Sequence, residues 1–196
     1  MNSNIQKIKE LALINKVPII QDASLEVINS IISKRQVEKI LEIGTAVGYS
    51  SLCFSTNNCV KRIDTFERNQ DMYNQAIQNI NNCQMSEVIH VHFGDALEVD
   101  ISNFSHDYDL LFIDAAKAQS RRFFELYSPL LKQDGIIIVD NILFHGVKES
   151  DENISKNLRG LIKKINLFVE WLKQNEEFET IFFEGGDGLA ISKRKC

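Results

Sequence analysis

The feature that most constrains this chain is an alternation. From residue 37 onward, short apolar runs with strand character take turns with stretches of helical period. The runs are VEKILEIG (37–44), VKRIDTFE (60–67), EVIHVHF (87–93), YDLLFID (108–114) and GIIIVDN (135–141). Helical patterns lie between them near 48–57, 69–83 and 117–132, and Asn69 stands where a helix cap belongs. Strand, helix, strand at this spacing calls for right-handed crossovers and a mostly parallel sheet. Two further helical segments, about 3–16 and 22–34, precede the first strand and are separated by Val17-Pro18-Ile19-Ile20. A long amphipathic helix, about 152–174, follows the fifth strand and leads into FETIFFEGGDGLAISKR. That piece reads as a hairpin turning at Gly185-Gly186-Asp187-Gly188. The expected fold is α/β: a Rossmann-like, seven-stranded, mostly parallel sheet with an antiparallel last strand and helices on both faces. A chain of 196 residues suits one well-filled domain, with 1–36 as an N-terminal helical extension.

The strand ends carry the chemistry. In open parallel sheets ligands bind beyond the carboxyl ends of the strands. Polar residues stand at five such ends: Glu42 to Gly44, Glu67, Gly94-Asp95, Asp114 and Asp140-Asn141. A helix cap accounts for one of them; it accounts poorly for five that converge.

Composition excludes little. A net charge of −5 does not announce a nucleic-acid binder, yet a local basic patch such as Arg121-Arg122 is compatible with it. No run approaches the ~18 apolar residues of a membrane span. The N-terminus lacks a secretory pattern, so a cytoplasmic location is expected. Cys53, Cys59, Cys83 and Cys196 show no CxxC spacing and read as free thiols.

LEIGTAVGYSS is a strand running into a glycine-bearing turn and then a helix. Tight helix packing alone would also explain Gly44 and Gly48. Glu67 shifts the balance, because it ends the next strand, where a carboxylate can accept from both ribose hydroxyls. Asp95 lies where an adenine ring would rest. The turn has no GxGxxG, and Glu42 would suit a ligand with a cationic amino-acid end. S-adenosylmethionine fits better than a nicotinamide dinucleotide. Asp114, Asp140 and Asn141 offer oxygen donors only, which suits a hard cation such as magnesium. For a lone Asp-Asn after a strand, a turn is the ordinary explanation; Asp114 and Lys117 nearby argue for more.

On these pieces the chain resembles the cation-dependent, catechol-type O-methyltransferases of the class I S-adenosylmethionine-dependent fold. The matching segments are LEIGTAVGYSS, DTFERN, FGDALE, LLFIDAAK, DGIIIVDNILFHG and GDGLAISKR. IDAAK, RRFFELYSPLL and DNILFHG further resemble the bacterial branch that methylates 5-hydroxyuridine in tRNA. The resemblance implies that Asp114, Asp140 and Asn141 hold the metal. Lys117, with Asp114, would serve the proton leaving the acceptor hydroxyl. Glu42, Gly44, Thr45, Gly48, Tyr49, Ser50, Glu67, Asp95, Ala96 and Asp114 would line the cofactor site. It also implies a homodimer and, for the tRNA branch, contact with the anticodon loop.

Arg121, Arg122, Phe144 and His145 are candidates for touching the acceptor, and a surface or interface role is open for the arginine pair. His90 and His92 alternate within a strand and read as core or surface. Three functions stand at this point: methylation of the tRNA wobble 5-hydroxyuridine to 5-methoxyuridine, methylation of a small catechol or phenol, and cofactor binding without catalysis. The first is the expectation.

Overall fold

The computed structural model describes residues 3–143, 151 and 154–195. Two helices, α1 (Ser3–Ile14) and α2 (Asp22–Arg35), precede the sheet. Then follow β1 (Lys39–Ile43), α3 (Tyr49–Phe54), β2 (Arg62–Glu67), α4 (Gln70–Asn82), β3 (Ile89–Phe93) and β4 (Tyr108–Ile113). The chain continues through α5 (Ser120–Tyr127), β5 (Leu131–Asp140), α6 (Lys156–Lys173), β6 (Phe178–Phe183) and β7 (Leu189–Arg194). The seven strands form one sheet in the order β3-β2-β1-β4-β5-β7-β6. The pairs among β1 to β5 are parallel, and β7 runs antiparallel to both β5 and β6. This is the fold the alternation predicts.

Strand period builds two cores. Ile40, Leu110, Phe112, Ile136 and Ile138 face one layer, shared with Ile5, Ile8, Leu25, Ile28 and Ile32 of the first two helices. Their neighbours Leu41, Ile43, Leu111, Ile113, Ile137 and Val139 face the other, with Phe123, Phe124, Phe168 and Leu172 of α5 and α6. Strands buried on both faces must be continuously apolar, which is why these runs read so clearly in the sequence.

Element boundaries shift where a local rule intervenes. The helical pattern at 117–132 yields an α-helix only to Tyr127, after which Ser128–Leu130 form a 3₁₀ turn and β5 begins at Leu131. Pro129 lacks the N–H that a continuing α-helix requires. The α4 helix opens as expected, with the Asn69 side chain accepting from the Met72 N–H at 3.0 Å. The last long helix starts at Lys156, capped by Ser155, whose Oγ accepts from the Leu158 N–H at 3.2 Å. No described helix is long and apolar enough to cross a membrane. Cys53, Cys59 and Cys83 are free thiols, and Cys196 lies outside the described residues.

Candidate active site

A cleft of about 600 Å³ opens at the carboxyl ends of β1, β2, β3, β4 and β5. Its floor begins at the turn after β1. The N–H groups of Gly44 and Thr45 both donate to the Phe66 carbonyl at 3.1 Å, and the Gly48 N–H donates to the Thr45 carbonyl at 2.8 Å. The turn is therefore folded onto the end of β2. Gly44 sits at φ +107°, and a Cβ there would lie 2.3 Å from the Asp114 carbonyl oxygen. Only glycine lets the ends of β1 and β4 come this close.

Glu67 locks the same corner. One carboxylate oxygen accepts from the Ala46 N–H at 2.8 Å, the other from the Asn69 N–H at 2.7 Å. The carboxylate is held rigid at the cleft wall and retains lone pairs for a ligand. Gly94, Asp95 and Ala96 form the neighbouring wall, and Arg68 stands beside them. The Asp95 carboxylate caps its own turn, accepting from the Leu97 N–H at 2.9 Å.

Glu42 corrects the sequence reading. It is not among the cleft-lining residues and is 0% exposed. Ser50 donates to it at 2.5 Å and Thr65 at 2.6 Å, and Ser51 donates as well. Burial pushes the Glu42 carboxyl up, against the pull of these three hydroxyls and with help from the Asp114 charge. Its role is to tie the start of α3 to β2 and so hold the glycine turn. A ligand's cationic end would meet Ser50, Tyr49 and Thr45, which do line the cleft.

At the other end of the cleft stand Asp114, Lys117 and Asn141. Lys117 Nζ donates to Asp114 Oδ1 at 2.5 Å. Asp140, 2% exposed, lies just behind Asn141. It accepts from the Asn141 N–H at 2.8 Å and from Ser24 Oγ at 3.4 Å. Burial and the Asp114 charge push its carboxyl up to about 7, with a smaller push from Asp187, while Lys117 and the Asn141 N–H pull the other way. Lys117 pairs with Asp114, but among the described residues no cation hydrogen-bonds to buried Asp140. Crowded carboxylates with oxygen donors throughout fit a site for a hard cation. Among the described residues no group of three or more His, Cys, Asp and Glu side chains is gathered as a metal cluster. The candidate set here is two carboxylates and an amide.

The structure thus brings Gly44, Thr45, Tyr49, Ser50, Glu67, Asp95, Ala96, Asp114, Lys117 and Asn141 to one cleft. Gly48, Glu42 and Asp140 support it from behind. Arg121 and Arg122 do not line it. Arg121 donates to Glu125 at 2.9 Å and its guanidinium lies 4.8 Å over the Trp171 ring, while Arg122 donates to Gln119 at 3.1 Å. An aromatic face and a carboxylate one helical turn away occupy Arg121 on the α6 side. His92 meets Asp64 away from the cleft. Phe144 and His145 lie outside the described residues.

The far wall comes from the N-terminal segment and the last hairpin. Leu13, Val17, Pro18, Ile19, Ile20 and Gln21 close the cleft from the N-terminal side, and Asp187 closes it from the β6–β7 turn. Pro18 marked a break between helices, but no local signal says that the break folds over the sheet ends.

Residues 5–195 match the family model described as O-methyltransferase. The chain belongs to the O-methyltransferase family. A crystal structure from Staphylococcus aureus, described provisionally as a caffeoyl-CoA O-methyltransferase, is 42% identical with a TM-score of 0.90, covering 99% of this chain and 93% of that one. A catechol O-methyltransferase of Mycobacterium tuberculosis is 28% identical over 80% of this chain and 72% of its own length. The S-adenosylhomocysteine-bound methyltransferase PaMTH1 of Podospora anserina shares the fold at a TM-score of 0.88 and 19% identity, covering 100% of this chain and 89% of that one. The sheet is that of the class I methyltransferases.

Proposed function

We propose that this O-methyltransferase moves a methyl group from S-adenosylmethionine to one oxygen of a vicinal pair, the pair being chelated by a divalent cation held by Asp114, Asp140 and Asn141. The observation that carries the reading is the shared cleft: a nucleotide-type corner at Glu67 and the Gly44 turn, and an all-oxygen corner at Asp114 and Asn141, line one cavity. When bound, the cation would acidify and orient the acceptor hydroxyl, and S-adenosylmethionine would supply the electrophilic methyl.

The chain's own residues do the rest. Glu67, fixed by two backbone N–H groups, accepts from the ribose hydroxyls. Thr45 and Ser50 border the amino-acid end. The Lys117 ammonium stands beside Asp114 and favours the acceptor oxygen as it loses its proton. Val17, Ile19, Ile20 and Phe123 exclude water and hold acceptor and donor in line.

Two acceptors carry such an oxygen pair. A small catechol-like phenol is supported by this apolar wall, by the absence of Arg121 and Arg122 from the cleft lining, and by the names of the relatives. The 5-hydroxyl and 4-carbonyl of 5-hydroxyuridine form a comparable pair. A tRNA wobble methyltransferase acting on the anticodon loop is supported by the segments IDAAK, RRFFELYSPLL and DNILFHG. A homodimer belongs to the same proposal, and light scattering weighs it. The deciding experiment gives the purified protein S-adenosylmethionine and magnesium with either a simple catechol or tRNA carrying 5-hydroxyuridine. Mass spectrometry of the products assigns the acceptor. Methylation of neither would overturn the vicinal-oxygen reading.

A further inference from the structure

The turn between β6 and β7 lies between the Asp140–Asn141 strand end and the start of α2. Asp187 is buried, and its carboxylate accepts from Gln21 Nε2 at 2.6 Å across 166 residues of chain. Gln21 is the cap position of α2, and the next residue, Asp22, is gripped by Lys9 of α1 at 2.5 and 2.8 Å. One helical turn on, fully buried Ser24 donates to Asp140.

The backbone is latched in the same place. Asn141 adopts the left-handed conformation at φ +64°. The two amides after it donate into the turn: Ile142 N–H to the Gly188 carbonyl at 3.2 Å and Leu143 N–H to the Asp187 carbonyl at 2.9 Å. A Cβ at Gly188, itself at φ +80°, would lie 2.5 Å from Leu143 Cγ. The turn thus presses directly on the segment that sets the Asn141 conformation. A backbone held in a sparsely populated region persists only when its surroundings over-determine it, and here the surroundings are this turn.

We propose that Asp187, with Gln21 and Ser24, positions the Asp140–Asn141 oxygen pair for the cation, so that the start of α2 is a working part of the cation site. The inference rests on the cation reading above. Gln21 and Asp187 line the cleft and Ser24 touches Asp140, yet none is among the candidate donors Asp114, Asp140 and Asn141. They are positioning residues, and partners that orient metal ligands typically change affinity by about 10- to 100-fold.

The test titrates Mn²⁺ into the full chain, followed by the electron paramagnetic resonance of the free ion. S-adenosylhomocysteine affinity is measured separately in chelator. Asp187→Ala is expected to weaken Mn²⁺ binding about tenfold, with Gln21→Ala close behind and the double variant little worse than either single one. Asp187→Asn keeps an acceptor for Gln21 and is expected to recover most of the loss. S-adenosylhomocysteine affinity should stay within about twofold, because Glu67 and the Gly44 turn are untouched. Unchanged Mn²⁺ affinity in Asp187→Ala and Gln21→Ala would overturn the inference while leaving the cation reading intact. So would an equal loss of S-adenosylhomocysteine binding, which would make the turn a general wall of the cleft. No Mn²⁺ binding by the unmodified chain would remove the cation reading itself. Gln21 is exposed, so its variant keeps the test open if Asp187→Ala does not fold.

Discussion

The two ends of the sheet treat buried carboxylates in opposite ways. Toward the amino end, Asp64 is 0% exposed and accepts from Arg62 at 2.6 and 2.9 Å and from the Tyr108 hydroxyl at 2.8 Å, with His92 Nε2 also at 2.8 Å. Nearby, Asp107 pairs with Lys39 at 2.5 Å and Asp109 with Lys132 at 2.6 Å. Burial pushes Asp64 up, but His92, Arg62 and Tyr108 outweigh it and hold the carboxyl well below the usual range. At the carboxyl end, among the described residues, Glu42 has only hydroxyl donors and Asp140 only an N–H and a distant hydroxyl. Both are pushed up, burial being the largest cause. At the amino end the chain supplies counter-charge within hydrogen-bond distance. At the cleft Lys117 pairs with Asp114, and among the described residues no cation hydrogen-bonds to Glu42 or Asp140. Leaving buried acids under-compensated costs stability, and such costs concentrate at sites that act on ligands.

The comparison breaks most sharply at Asp140. Asp140→Ala is expected to lower methyl transfer at least about 100-fold by removing a cation donor, read from product formation under saturating S-adenosylmethionine. Full activity of this variant in chelator would refute the cation site. Next comes Lys117→Ala, expected to cut turnover about 100-fold while calorimetry shows little change in S-adenosylhomocysteine affinity. A parallel loss of that affinity would make Lys117 a structural brace for Asp114.

At the amino end the effect is on folding. Asp64→Asn is expected to cost about 2 kcal/mol in urea unfolding at neutral pH, because it strips a hydrogen-bonded ion network of its charge. The sign follows from the depressed carboxyl. Its stabilisation is fully present above the unfolded value of about 4 and is lost as pH falls below it. The gap between wild type and Asp64→Asn should therefore narrow on acidification, and a gap that widens would contradict the assignment. The smallest effect belongs to Glu42→Gln, below about 1 kcal/mol, since a raised carboxyl is already disposed to carry a proton. If Glu42→Gln destabilised more than Asp64→Asn, the contrast between the two ends would fail.

The sheet was legible because its central strands are buried on both faces and so must be apolar throughout. Glu67, Asp95, Asp114 and Asn141 were legible because a parallel sheet sends its strand ends to one place. Standing near a strand end does not by itself put a side chain in the cleft, and Glu42 shows it. Glu42 shares parity with Ile40, so it points under α3 rather than into the cleft. Asp140 shares parity with Ile136 and Ile138, which is why it meets Ser24 of α2. The pairing across the far wall was not legible. Gln21 and Asp187 meet only because the hairpin and the first two helices pack on the same sheet edge, and no local pattern encodes that. Arg121 sits at the right end of the sheet, but a nearby tryptophan claims it.

The most direct test of the central claim is reversible chelation. Methyl transfer to whichever acceptor the product assay identifies would be followed before chelator, in chelator, and after magnesium in excess, with S-adenosylmethionine binding monitored throughout. The account predicts that turnover stops in chelator and returns with magnesium while S-adenosylmethionine stays bound. Undiminished turnover in chelator would contradict it, and the raised Asp140 carboxyl would need another explanation.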